Sequence, residues 1–173
     1  LYEGVEISGH GSVGLITYMR TDSLRLSEEA LNAARDYIVA RYGESYYPGQ
    51  PRRFKTKAGA QDAHEAIRPT YVDLTPEQVR KDLSQEQYRL YRLIWGRFTA
   101  SQMANAVYDN VAVDVRSAGY AFRANYSELR FPGYTAVYEE SREEESSEIE
   151  NPLPKLSEGE RVFLEKMLPD QQF

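Results

Sequence analysis

The chain has 173 residues, 21 Lys+Arg against 27 Asp+Glu, a formal net charge of −6, and no cysteine. A chain of this length can bury a core without disulfide or metal staples, and the missing cysteines exclude a disulfide scaffold, a thiolate nucleophile and any Cys-ligated zinc or iron–sulfur site. No apolar run approaches the roughly 20 residues that a membrane span needs, so no membrane partner is expected and any chemistry rests on oxygen and nitrogen.

The opening Leu1-Tyr2-Glu3-Gly4 resembles neither a signal peptide nor a natural start, and a piece of a longer protein is expected. Gly9-His10-Gly11 reads as flexible, and His10 as an incidental loop residue. Val13 to Tyr18 is β-prone, with Tyr18 where the strand gives way to polar Arg20-Thr21-Asp22-Ser23. Ser27 caps a helix with Glu28 and Glu29 in its first turn; Leu31, Ala34, Ile38 and Tyr42 form its apolar stripe and Gly43 stops it.

Glu44 to Arg53, aromatic and rich in Pro and Gly, is expected as an ordered loop, and Gln61 to Arg68 as two helical turns ended by Pro69. Thr75 with Gln78, and Ser84 with Gln87, have the spacing of capping boxes. The longer helix after Ser84 turns Tyr91, Ile94, Trp95 and Phe98 inward and leaves Arg89, Arg92 and Arg97 for solvent or phosphate.

Beyond residue 104 the period becomes two. Val111, Val113 and Val115 and then Tyr120, Phe122, Ala124 and Tyr126 alternate with polar residues across Ser117-Ala118-Gly119, the pattern of a β-hairpin. Leu129–Phe131, Tyr134–Tyr138 and Arg161–Met167 are expected as further short strands, and residues 139–150, with seven acids and one Arg, as a solvated, mobile loop. The expected class is α+β: a mainly helical domain over 1–104, then a small antiparallel β region over 105–173. Residues 1–100 carry 14 basic and 13 acidic side chains and the remainder 7 and 14, so the positive charge lies in the helical part.

Three groups of residues could carry chemistry. A tyrosine hydroxyl ordinarily titrates near pH 10 and needs a cation or base to act as a nucleophile at neutral pH. In an extended segment Arg20 lies on the same face as Tyr18 and could share one phosphate with it, with Asp22 continuing that face, where it could orient Arg20 or contact a nucleotide of bound DNA. In a chain with 14 tyrosines, a Tyr at a strand end reads more readily as packing. On a helix, His64 and Arg68 share a face and would form a phosphodiester clamp, or else belong to a surface helix laced with ion pairs. Arg52, Arg53, Lys55 and Lys57 beside Tyr46, Tyr47 and Phe54 suit a groove where cations follow a DNA backbone and rings stack on bases, or a solvated loop. His64 with Glu65 falls short of a metal ligand set.

Gly14-Leu15-Ile16-Thr17-Tyr18-Met19-Arg20-Thr21-Asp22-Ser23 closely resembles the active-site segment of bacterial type IA DNA topoisomerases, and Ala63-His64-Glu65-Ala66-Ile67-Arg68-Pro69 is similar to that family's second signature. Leu1–Gly4 and Leu93-Ile94-Trp95 extend the likeness to most of 1–104, while Gly9-His10-Gly11 departs from it where many relatives carry an acid. The resemblance implies an ATP-independent enzyme that cuts one DNA strand, passes another and reseals, relaxing negatively supercoiled DNA in the bacterial cytoplasm at the nucleoid. It implies Tyr18 as the nucleophile of a 5′-phosphotyrosyl link, Arg20 gripping the scissile phosphate, Asp22 supporting that geometry and His64 bonding DNA near the break. Arg68 and Glu65 belong to the second signature with roles less defined.

The helical part would be a lid and the β region part of an arch, both working with the remaining domains of the parent enzyme on single-stranded and supercoiled DNA. The family binds Mg²⁺ through an acidic cluster on a separate toprim domain, and no Asp-x-Asp-x-Glu pattern occurs here. The chain alone is therefore expected to be inactive. A reverse gyrase parent would share these signatures, and a non-catalytic DNA-binding or protein-interaction module is the alternative of another class.

Overall fold

The computed structural model describes residues 1–54, 64–138, 156–163, 165 and 166. The fold is α+β. The described residues 1–54, 64–107 and 131–138 form one compact unit, and 108–130 with 156–163 and 165–166 a second. The acidic stretch 139–150, Lys55, Lys57 and residues 61–63 lie outside the described residues. Among those described, no helix is long and apolar enough to cross a membrane.

In the first unit, sequence signals at helix ends set the helices. α1 (Glu28–Tyr42) begins where Ser27 turns out of extended backbone and its Oγ accepts the Ala30 N–H, and Glu28 and Glu29 complement the positive helix end. It ends at Gly43, whose φ of +100° suits glycine and whose N–H donates to the Val39 carbonyl. Ala30, Leu31, Ala34 and Ile38 are buried along one stripe, and each of the larger two contributes about 1.5–3 kcal/mol by leaving water. The loop that follows contains a single 3₁₀ turn at Glu44–Tyr46.

α2 (Pro76–Val79) and α3 (Gln85–Ser101) both start with complete capping boxes, Thr75 with Gln78 and Ser84 with Gln87. α3 buries Tyr91, Trp95 and Phe98. Burial of a phenol or an indole requires a partner for its polar end: Tyr91 Oη donates to the Leu74 carbonyl at 2.6 Å and Trp95 Nε1 to that of Val72 at 2.8 Å. These bonds fix segment 72–74 across the helix, and Leu15, Ile16, Val72, Leu74 and Val79 complete the core.

Two short strands precede α1, β1 (Val5–Ile7) and β2 (Gly11–Val13), antiparallel with Val5 opposite Val13 and Ile7 opposite Gly11. Gly9-His10-Gly11, read from sequence as flexible, supplies their turn and the start of β2. Asp82 holds that turn, its carboxylate accepting both the N–H and the hydroxyl of Ser8.

The strand expected over 13–18 is corrected. β2 stops at Val13, and beyond it a single bridge pairs Ile16 with Pro69. The flanking bonds run from Thr17 N–H to the Arg68 carbonyl and from Thr70 N–H to the Leu15 carbonyl, both 3.0 Å. Pro69 thus occupies the position of an antiparallel pair that donates nothing, the one place a ladder accepts proline. The helix expected over 61–68 is corrected as well, since residues 64–68 are not helical. Their backbone groups bond to residues 15–25 instead and are not available to an i→i−4 ladder.

In the hairpin, β3 (Val107–Ser117) and β4 (Tyr120–Phe131) are longer than the alternation suggested, and β4 absorbs the separate strand expected at 129–131. Ala118 and Gly119 both have positive φ, 49° and 84°, as a type I′ hairpin turn requires. Asp114 with Arg123, and Asn110 with Ser127, meet across the ladder. The strand expected at 134–138 is a 3₁₀ turn, Gly133–Ala136, begun when Thr135 N–H and Oγ1 both donate to the Pro132 carbonyl. Among the described residues of 161–167 none is a strand; Ser157 and Glu160 close a turn before them and no ladder partner follows.

Candidate active site

Segments 15–25 and 64–70 are laced side by side. Beyond the Ile16–Pro69 bridge, Thr17 Oγ1 donates to the Ala66 carbonyl at 2.9 Å and accepts the Arg68 N–H at 3.0 Å. Buried Ser23 donates its hydroxyl to the His64 carbonyl at 2.6 Å, and Ala66 N–H donates to the Arg25 carbonyl at 2.8 Å. Between these fastenings Arg20 N–H returns to the Tyr18 carbonyl at 3.0 Å. That i→i+2 bond closes a three-residue turn, so Tyr18 and Arg20 do not simply share the face of an extended strand. Tyr18 and Met19 are 52% and 51% exposed at this turn.

The Tyr18 ring lies 5.9 Å from the His64 ring and 5.6 Å edge-on from that of Tyr2. Tyr18 and His64 thus meet from opposite ends of the seam. Arg20 bonds Asp22 through Nε at 2.8 Å, and among the described residues its two terminal nitrogens bond to nothing, which leaves the fork of the guanidinium for an anion.

Burial pushes the Tyr37 hydroxyl up to about 12, and that of Tyr91 is also raised by burial. Tyr91 lies in the core and Tyr37 packs against it, whereas Tyr18 stands at the surface beside the His64 imidazole.

Arg68 does not lie on a helix face with His64. Its guanidinium bonds Glu65 Oε2 at 2.8 Å and the Pro69 carbonyl at 3.0 Å, with only 14% of the side chain exposed. Glu65 in turn accepts the N–H of Ser27 at 2.6 Å, joining the seam to the start of α1. Burial pushes the Glu65 carboxyl up, but the bonds from Arg68 and Ser27 and the Arg68 charge outweigh it and hold the group below its ordinary value. A depressed carboxyl adds stability above its unfolded value near 4.5 and loses it as pH falls through the folded value. The melting temperature should therefore drop on acidification below about pH 4.5, and Glu65→Gln should flatten that limb in a calorimetric pH series; an unchanged limb would contradict the assignment.

Arg52 and Arg53 lie elsewhere on the unit. Arg52 bonds Asn105 through NH2, Arg53 forms an exposed pair with Glu28, and both keep surface to offer. Sequence reasoning missed Tyr2, Thr17, Ser23 and Gln102. Thr17 and Ser23 stood inside the recognised string without a role, and nothing in the sequence marked Gln102.

Gly14 makes the Tyr2 contact possible. A Cβ there would lie 2.7 Å from the Tyr2 carbonyl oxygen, and Leu15 N–H donates to Leu1 beside it. Gly14→Ala should push Leu1–Tyr2 off the seam, costing about 1–3 kcal/mol by overpacking. Urea melts would register the loss; a change under about 0.5 kcal/mol would show that the N-terminal segment yields freely.

A family described as DNA topoisomerase matches residues 1–173 through its sequence model. Among solved structures, full-length topoisomerase I from Thermotoga maritima in a monoclinic crystal form is similar, with a TM-score of 0.66 and 41% identity, covering 82% of this chain and 22% of that one. The chain spans about a fifth of that protein's length.

Proposed function

Since this chain belongs to the bacterial DNA topoisomerase family, we propose that it is the nucleophile-bearing part of a type IA enzyme that relaxes negatively supercoiled DNA by cutting one strand, passing another and resealing. The observation that carries this reading is the surface-exposed Tyr18 ring against His64, with the free fork of Arg20 on the same turn.

Tyr18 Oη attacks the scissile phosphorus, the bond from phosphorus to the 3′-oxygen breaks, and the proton lost by the phenol is balanced by one gained on the leaving 3′-hydroxyl. The strand stays attached as a 5′-phosphotyrosine. Religation reverses the step, so ATP is not required. Arg20 offers its terminal N–H groups to the phosphate oxygens, where charge builds as the phosphorus is attacked; Asp22 holds Nε and so sets the fork. His64 is placed to bond the strand beside the break, and Arg52 and Arg53 to follow its backbone. Arg68, proposed from sequence as a DNA contact, reaches DNA only through the seam that it braces.

The complete enzyme is proposed to use Mg²⁺, which supplies positive charge at the phosphate. Among the described residues no three acidic or imidazole side chains converge to hold that ion, and Asp22 and Glu65 are committed to Arg20 and to Arg68 and Ser27. The metal is assigned to a toprim domain outside this chain, so the 173-residue piece alone should neither relax plasmid nor cleave an oligonucleotide. Its partners are single-stranded and negatively supercoiled DNA and the rest of the parent enzyme, in the bacterial cytoplasm at the nucleoid.

The test is to incubate the full-length enzyme and Mg²⁺ with a single-stranded oligonucleotide labelled at its 3′ end, denature, and map the label by mass spectrometry. An adduct on Tyr18 is expected. No adduct, or one elsewhere, favours a non-catalytic DNA-binding or interaction module.

A further inference from the structure

Where the chain enters α1, a cleft of about 210 Å³ opens between Leu24–Leu26 and Arg52–Phe54. Its floor is apolar, with Leu31 2% exposed and Leu26 half-buried, and its walls are Leu24 and Phe54, at 48% and 47% exposed. Among the described residues three arginines and no acid complete the lining. Two of them already have partners, Arg52 in Asn105 and Arg53 in Glu28. Arg25 is exposed, and its guanidinium makes no ion pair or hydrogen bond among the described residues.

The wall that carries Phe54 is anchored two residues before it, at the Arg52 backbone. Gln102, 1% exposed, accepts the Arg52 N–H at 3.0 Å and donates to the Arg52 carbonyl at 3.1 Å, like one rung of a ladder. The opposite wall belongs to the Tyr18 seam, because the Arg25 carbonyl accepts the Ala66 N–H and neighbouring Ser23 bonds His64. The cleft thus shares one wall with the segment that is bonded into the Tyr18 seam, Arg25 lying seven residues along the chain from Tyr18.

We propose that this cleft is a base slot: one nucleobase of the single strand handled by Tyr18 enters between Leu24 and Phe54, stacks on the Phe54 ring, and has its adjoining phosphate held by Arg25. The volume falls below the roughly 300 Å³ at which pockets begin to enclose whole ligands, so it suits a flat ring with the sugar and phosphate outside. An apolar slot with a cationic rim matches a nucleotide, apolar on its faces and anionic at its edge. Stacking tolerates any base, so the slot would set where the strand lies on the lid more than which sequence is cut. This inference rests on the proposed topoisomerase reading.

The experiment measures binding of the full-length enzyme, as Tyr18→Phe to prevent cutting, to single-stranded oligonucleotides in which one abasic nucleotide is moved stepwise along the sequence. One position should lower affinity about tenfold, within the range of losing a single stack. Adding Phe54→Ala should lower affinity for the intact strand by the same factor and erase the sensitivity at that position, while Phe54→Tyr keeps both. Arg25→Gln should reduce the slope of log affinity against log salt by about 0.7, the value for one phosphate contact on a single strand.

A flat abasic profile, or a profile untouched by Phe54→Ala, overturns the slot. A Phe54→Ala enzyme that melts earlier yet keeps the profile also overturns it, because the cleft would then hold a side chain from the rest of the protein. If the slot's profile appears but the wild-type enzyme forms no Tyr18 adduct, the topoisomerase mechanism fails and the binding site stands.

Discussion

Tyr18→Phe should abolish the covalent protein–DNA adduct of the full-length enzyme, by about 10⁴-fold or more, the scale of removing a nucleophile. The substitution deletes one oxygen and leaves the ring, so the packing of Tyr18 against Tyr2 and His64 is retained. Among the described residues the hydroxyl bonds to nothing, and a surface change of this kind moves stability by about 0.5 kcal/mol or less. Oligonucleotide affinity should stay within about twofold, since the phosphate contacts that dominate it are intact. Denaturing gels for the adduct, with anisotropy and a thermal melt as companions, separate chemistry from folding. An adduct that survives in Tyr18→Phe would remove the residue from the mechanism.

The second large effect concerns stability. Arg68→Ala should destabilise the protein by about 1–3 kcal/mol, below the range for a fully buried ion pair because this one is only partly buried, since it strips the cation from a carboxylate that still faces the Ser27 amide. Without Arg68 the Glu65 carboxyl loses both the bond and the charge that held it down, so the acid limb of stability should move to higher pH. Adding Glu65→Gln removes the stranded charge and should restore part of the loss; the double-mutant cycle gives the coupling directly. Cleavage should fall as well, since the seam presents His64 to Tyr18. Urea titration of the four proteins decides the point: if Arg68→Ala costs under about 0.5 kcal/mol, the pair is ornamental and the seam stands on its backbone bonds alone.

How much of this could be read from the sequence follows the range of the interactions. α1 was legible to the residue at both ends because Ser27 and Gly43 act within one turn, and the capping boxes before α2 and α3 are equally local. The hairpin turn was legible too, since Ala118 and Gly119 are decided by their neighbours. Ala66-Ile67-Arg68 has a helical composition and yet is not helical, because its backbone partners are Thr17 and Arg25, far away in sequence. Residues 134–138 alternate like a strand but lie after a proline and a positive-φ glycine, where the Pro132 carbonyl captures Thr135 first.

The site divides in the same way. Tyr18 and His64 could be paired from the family resemblance alone, since no spacing rule joins them. That Arg20 lies beyond a tight turn, and that Arg68 braces Glu65, depends on contacts no local pattern encodes.

The seam that holds Tyr18 also has a kinetic meaning. Its side-chain bonds join residues 38 to 51 positions apart, so each requires a long loop to close before it yields any stabilisation. The helix caps need only three residues. Contacts of such long range form late and slow the folding of the chain that relies on them. A newly made or partly opened molecule can therefore hold α1 and α3 while Tyr18 still lacks His64 beside it. The Tyr18–His64 contact therefore arrives with the last contacts of folding, and a partly opened molecule loses it before it loses its helices.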